Sequence, residues 1–276
     1  MTPGAVAISA HSGGAEKAPA GTLEAYADAL TTGAEYVEFD IRHTADEELV
    51  VFHDPYTRQG DALAATSYAR LCALAGYEVP RAADVMRLIA GKAIGHLDYK
   101  ELGGEEKAVE MALSILGPGN FVVTTLEDES VAAVKARFPD VTTALSLGRD
   151  LRKVSRSKWA KIRLSELFPL RRLRACGADW AAVNRQLARA GVVAQCHRAG
   201  IKTMIWTVDE DKEMRHWLTD PRVTVLITNR PAHAVALRAA LRSGPPELLQ
   251  AHWVKTAGWC PTAGNRSAAR LASASR

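Results

Sequence analysis

Cysteine is scarce in this 276-residue chain: Cys72, Cys176, Cys196 and Cys260 are widely scattered, with no Cys-x-x-Cys pair. A disulfide framework or a thiolate metal site is therefore not expected, and the thiols read as buried or incidental. No apolar run reaches the roughly 18 residues that argue for a membrane-spanning helix. The start, Met1-Thr2-Pro3, has neither a charged n-region nor a long apolar h-region, so a soluble, cytoplasmic protein is expected. Aromatic residues make up only 6%. The one basic run (Arg149, Arg152, Lys153, Arg156, Lys158, Lys161 and Arg163, with Asp150 the single acid) is interleaved by Trp159 alone, which argues against nucleic-acid binding. That run reads as a solvated loop or amphipathic helix in preference to a mouth that attracts anions. The Gly-x-Gly-x-x-Gly spacing of a dinucleotide fingerprint is also missing, because the first strand-like run leads into His11-Ser12-Gly13-Gly14. The net charge of +4 and pI near 8.9 fit a small anionic substrate and require neither nucleic acid nor membrane.

What is present is a regular alternation. Hydrophobic content of 47% and charged content of 24% are those of a globular protein with a sizeable core. Strand-like runs begin near residues 5, 35, 93, 120, 141, 179, 201 and 223, separated by stretches of helical period. Eight such units in about 240 residues predict an α/β protein, a (β/α)₈ TIM barrel. A doubly wound open sheet is the alternative, and the missing Gly-rich loop makes it the poorer fit. Expected helices include 22–30, 64–75, 82–90, 105–116, 130–138, 186–199, 210–218 and 232–241. Ser243-Gly244-Pro245-Pro246 marks a boundary. Residues 1–243 are expected to form the barrel and 244–276 a partly disordered extension, in which Trp253 and Trp259 could pack.

The chain's chemistry centres on Tyr36 to Asp54. Along Tyr36-Val37-Glu38-Phe39-Asp40-Ile41, Glu38 and Asp40 share one strand face with Tyr36, and the apolar residues take the other. Two carboxylates so placed repel each other and are costly to bury without a neutralising cation. The break from Arg42 to Glu48 is too short for a parallel crossover, which needs about a dozen residues, but suits a hairpin with Thr44, Ala45 and Asp46 near its tip. A short antiparallel arm after the second strand is thus predicted, with His53 roughly opposite Glu38.

Catalytic groups of such barrels gather at the C-terminal ends of the strands. His11 ends the first strand, Glu38 and Asp40 lie near the end of the second, Asp98 and Lys100 end the third and Trp206 the seventh, while His53 sits on the arm. Three carboxylates make a hard oxygen site suited to Mg²⁺ or Ca²⁺, whereas zinc would take the nearby imidazoles. Two histidines flanking it suit paired acid and base work near neutral pH, and a cation with Lys100 would offset charge on a phosphoryl oxygen. His43, His96, His197, His216, His233 and His252 read as ordinary surface or core residues, with His96 a weak exception because it shares the Asp98 face.

His11-Ser12-Gly13, Glu38-Phe39-Asp40, His53-Asp54, Asp98-Tyr99-Lys100 and Trp206-Thr207-Val208-Asp209, in this order, resemble the motifs of the glycerophosphodiester phosphodiesterase family. The run Leu226-Ile227-Thr228-Asn229-Arg230-Pro231 is similar to that family's closing strand. The resemblance spans roughly residues 5 to 240. It implies a TIM barrel and a divalent metal held by Glu38, Asp40 and Asp98. It also implies His11 and His53 as the catalytic pair and Lys100 as a phosphate contact; Trp206 is as ready to cap the barrel as to touch substrate. Three positions depart from the family pattern. Ser12 replaces an arginine, Pro19-Ala20-Gly21-Thr22 lacks the rim glutamate, and Asp98 stands for a glutamate, as in the similar spider-venom phospholipases D. The expected activity is metal-dependent cleavage of a phosphodiester. A phospholipase D-like lyase or transferase releasing a cyclic phosphate, and a barrel that only binds a phosphorylated ligand, stay open as alternatives.

Overall fold

The computed structural model describes residues 5–152 and 154–243. Expectations for the C-terminal extension, its two tryptophans and Cys260 therefore fall outside the described residues, as does Lys153. Among the described residues nine strands form one sheet: β1 (Ala7–Ala10), β2 (Tyr36–His43), β3 (Leu49–Val51), β4 (Ile94–Tyr99), β5 (Phe121–Thr125), β6 (Thr142–Leu147), β7 (Trp180–Asn184), β8 (Lys202–Trp206) and β9 (Val225–Thr228). All except β3 run parallel. β1 pairs with both β9 and β2, so the eight close into a barrel with helices between them, the predicted TIM fold.

β3 is the outlier, paired antiparallel to the end of β2 in the register Ile41↔Val51 and His43↔Leu49. This is the predicted arm. Its tip closes where the Thr44 N–H donates to Glu48 O at 3.0 Å and Glu47 takes a left-handed φ of 63°. The arm has its own small core of Val50, Leu63, Leu71 and Val79. The helix expected over 64–75 is split into a turn at Leu63–Ala65 and a helix at Tyr68–Ala75. Ser67 causes the split, because its side chain caps the second piece. The helix expected over 186–199 begins at Arg185 and is interrupted around Gly191, whose φ of 96° no helix accommodates.

Strand alternation sorts the side chains into two compartments. The outward set, with Ile8, Leu145, Val183, Ile205 and Leu226, packs under the helices. The inward set fills the barrel's lower interior with Tyr36, Val122, Met204, Val225 and Ile227. Above that layer the interior turns polar, and there the site begins. Leu226 is wholly buried and lies in register between Ile8 and Ile205 on the strands either side. Leu226→Ala is expected to cost about 2–5 kcal/mol in urea unfolding. A loss under about 1 kcal/mol would mean that this layer is not packed as described.

Candidate functional site

Position 38 of β2 pairs with His96 of β4, and Asp40 pairs with Asp98, so parallel register alone stacks acids from neighbouring strands at the barrel's C-terminal end. Glu38 and Asp40 are only 2% and 3% exposed. Carboxylate oxygens of Glu38, Asp40 and Asp98 lie within 4.8 Å of one another. Lys100, two residues beyond Asp98, turns its ammonium back onto the cluster, 2.8 Å from Asp40 Oδ1 and in contact with Asp98 Oδ2. Thr124 Oγ1 donates to the other Asp98 oxygen at 2.8 Å.

The electrostatics follow from this crowding. Burial, reinforced by the neighbouring Asp40, pushes Glu38 up to about 8 against the pull of His11 and Lys100. Asp98 moves the other way: burial acts to raise it, but the Lys100 ion pair and the Thr124 bond outweigh burial. Lys100 is held protonated because Asp98, Asp40 and Glu38 together overcome its own burial. Once Glu38 also gives up its proton, three acids against one ammonium leave two negative charges uncompensated, the charge of one divalent cation. Asp40 Oδ1 is buried and, among the described residues, has no hydrogen-bond partner of good geometry, with only the Lys100 ammonium 2.8 Å away as its ion-pair neighbour. An orphaned buried oxygen inside a three-carboxylate donor set fits a hard divalent ion such as Mg²⁺ or Ca²⁺.

His11 follows β1 directly. Ser12 takes a left-handed φ of 47°, which aims its N–H at Glu38 Oε2, 2.6 Å away. The next position must be glycine: a Cβ on Gly13, whose φ is 79°, would stand 2.9 Å from Ala25 and Tyr26. His11 Nδ1 lies 2.8 Å from Asn229 Oδ1, and Asn229 Nδ2 donates to Asp209 at 2.8 Å. Because the amide nitrogen is engaged by Asp209, the amide oxygen faces the imidazole. Neutral His11 therefore carries its proton on Nδ1 and leaves Nε2 as a base. Burial acts to lower its pKa, but Glu38, the Asn229 bond and Asp40 outweigh burial and raise it.

His53 is not opposite Glu38. The Phe52 N–H bonds Asp40 O at 3.2 Å, so the β2–β3 register extends to place position 53 against Phe39. The ladder ends there and the ring turns outward, 66% exposed, with Nδ1 3.0 Å from Asp54. It still lines the same cavity as His11, Glu38, Asp98, Lys100 and Trp206, a space of about 220 Å³. Trp206 borders this cavity while its indole N–H donates to Ala182 O at 3.0 Å. His96 is buried between Ser9 and Thr124, and burial lowers its pKa to about 4. Thr124 gives its proton to Asp98, so it accepts from His96 Nε2 and the ring stays neutral; the ordinary-core reading of His96 holds, although the ring borders the cavity.

Several supporting residues were not singled out in the sequence: Asn229 and Asp209 behind His11, Thr124 behind Asp98, and Arg42, whose Nε donates to His53 O at 2.9 Å. Arg42 also binds Glu101, which takes the His43 N–H and tethers the arm's base. Polar side chains at strand C-termini were the available signal. The basic run lies largely on a helix, Arg156–Leu167, and its members Arg149, Arg152 and Arg163 are paired to acids, which is the solvated reading.

Raising the folded pKa of Glu38 means that the folded metal-free protein binds more protons than the unfolded chain between about 4.5 and 8. Its contribution to stability is therefore lost as pH rises through that window, and the raised His11 acts in the same sense. The Tm in chelator is expected to be lower at pH 8 than at pH 6, with the difference reduced in Glu38→Gln. A second expectation concerns the lysine. Lys100→Met leaves the acids without their cation and should cost about 3–5 kcal/mol in chelator. Mg²⁺ should restore most of that, as read by thermal unfolding with and without the ion.

Residues 11–145 match the model of the glycerophosphoryl diester phosphodiesterase family. That span holds His11, Glu38, Asp40, His53, Asp98 and Lys100, but not Trp206 or Asn229. No curated protein matches the sequence. Among solved structures, a putative glycerophosphoryl diester phosphodiesterase from Agrobacterium tumefaciens is similar at TM-score 0.72 and 21% identity, over 87% of this chain and all of that one. A glycerophosphodiester phosphodiesterase from Thermotoga maritima is similar at TM-score 0.66 and 19% identity, over 84% of this chain and 98% of that one. A phosphodiesterase from Oleispira antarctica, in complex with the product sn-glycerol-3-phosphate, is similar at TM-score 0.67 and 18% identity, over 86% and 98%. At such identities the structural likeness speaks for the barrel, while the sequence match takes in the whole acidic cluster and both histidines. Over residues 11–145 the chain carries the likeness to the glycerophosphoryl diester phosphodiesterase family, whose members cleave phosphodiesters.

Proposed function

We propose that this barrel cleaves a small glycerophosphodiester-like substrate, with Glu38, Asp40 and Asp98 holding Mg²⁺ or Ca²⁺ and His11 and His53 as the acid–base pair. The observation that carries the reading is the three-carboxylate cluster with an orphaned Asp40 oxygen, bordered by two imidazoles on one cavity. The bound ion would act as a Lewis acid toward a phosphoryl oxygen. Lys100, already at the cluster's edge, supplies a second positive charge to the phosphate.

His11 is the base. Asn229 holds Nδ1–H, so the free Nε2 removes the proton of the attacking hydroxyl, whether water or the substrate's own neighbouring alcohol. A neighbouring alcohol has the advantage of high effective concentration and yields a cyclic phosphate. His53 gives a proton to the leaving oxygen, and Asp54 steadies its far nitrogen. Trp206 walls the substrate side. The protein that carries this chemistry has no described helix long and apolar enough to cross a membrane.

His11→Ala and His53→Ala should each lower kcat on a glycerophosphodiester by about 10²–10⁴-fold, and chelator should abolish turnover reversibly. Near-native rates in both variants would overturn the acid–base assignment. Asn229→Ala should cost less and move the acidic limb of the pH–rate profile, because it frees the His11 tautomer. Phosphorus NMR of the product separates a hydrolase, which gives a monoester, from a cyclising enzyme.

A further inference from the structure

Besides the cavity over the acids, a second and larger space of about 840 Å³ opens on the arm side. The two meet at His11 and His53, which line both. The inner space takes in Glu38, Asp98 and Lys100; the outer takes in Ser12 and Asp40, then runs out past His53 and Asp54 along the arm. Beyond Asp54 its described wall sets Phe52, Tyr56, Leu71, Leu74 and Tyr77 beside Thr57, Arg58 and Gln59. Tyr56 and Tyr77 stand 54% and 47% exposed, an uncovered aromatic surface beside the site.

We propose that this outer cleft seats the leaving alcohol and selects an apolar one, so that the preferred substrates are phosphodiesters bearing an alkyl chain. The inference rests on the phosphodiesterase reading above, because it takes His53 as the group that protonates the leaving oxygen. That role puts the leaving alcohol at His53, the junction through which the outer cleft is reached. Size supports the same conclusion. The inner cavity, at about 220 Å³, suits a phosphate with a small polyol, whereas 840 Å³ lies in the range of drug-sized ligands. Chemistry agrees too: discrimination in favour of a hydroxylated alcohol needs free, buried polar partners, and here Thr57 and Gln59 already donate to Asp61 and to Leu74 O. A methylene chain laid along Leu74, Tyr56 and Tyr77 would instead remove apolar surface from water on both sides.

The test is a series of glycerophosphodiesters whose second alcohol is methanol, n-butanol or n-octanol, assayed below aggregation. The kcat/KM should rise with length, by up to roughly fourfold per methylene buried. Leu74→Gln and Tyr77→Asp should each lower the octyl-to-methyl ratio of kcat/KM at least tenfold. Reading a ratio cancels any loss of active protein. A flat or falling series in the native chain, or ratios unmoved in both variants, overturns the inference while leaving the phosphodiesterase reading intact. If none of the diesters is cleaved, that reading falls instead. Calorimetric titration of n-octyl phosphate against methyl phosphate then decides the cleft by itself: tighter octyl binding supports it and equal affinity rejects it.

Discussion

Repulsion among three crowded carboxylates, two of them buried, is the constraint around which this barrel is built. Parallel register puts Asp40 level with Asp98 and Glu38 one pleat below Asp40, so the acids cannot separate without breaking the sheet. Charge must be balanced locally. In the absence of an ion the protein does this in three ways: the Lys100 ammonium turns inward, the Ser12 N–H is bent onto Glu38, and Glu38 itself tends to hold a proton. None of the three supplies a hydrogen bond to Asp40 Oδ1. The cluster is thus balanced incompletely, which is what a site for a doubly charged ion requires.

The same constraint explains which parts of the site were legible in the sequence. Acids two apart on a strand, an imidazole at a strand end and a lysine two past an aspartate are short-range patterns, and strand period converts them directly into geometry. All eight barrel strands were readable for the same reason, because each shows its period within a few residues. The arm was legible from the length of its loop, but not to one residue: the position of His53 depends on where the β2–β3 ladder ends, and β3 is three residues long. A pattern that short does not fix its own register.

What could not be read was the support. Asn229 and Asp209 stand 218 and 20 residues from their partners in the His11 relay, and Arg42 reaches across the hairpin to a backbone carbonyl. No local period signals such contacts; the one between His11 and Asn229 exists because barrel closure brings β9 beside β1. Asn229 and Asp209 were visible as letters in suggestive motifs, while their task, fixing one nitrogen of one imidazole, is a property of the closed ring alone. The cleft wall formed by Tyr56, Leu74 and Tyr77 was missed for a related reason, since those residues meet only when the arm folds back on itself.

The two histidines differ in a way that matches the proposed division of labour. A base must present one lone pair in one direction, and His11 has that: it is partly buried, its tautomer set by an amide that is itself set by a carboxylate. An acid that has given up its proton must regain one from solvent before the next turnover. His53 is mostly exposed, on an arm outside the barrel, with Asp54 beside it. Exchanging the roles would place the proton donor where water reaches it poorly, and the oriented base on the less constrained ring. Under the proposed mechanism the arm would serve catalysis by lying outside the barrel: it would bring an imidazole to the reacting phosphate without enclosing it, and on its far side it leaves an open cleft.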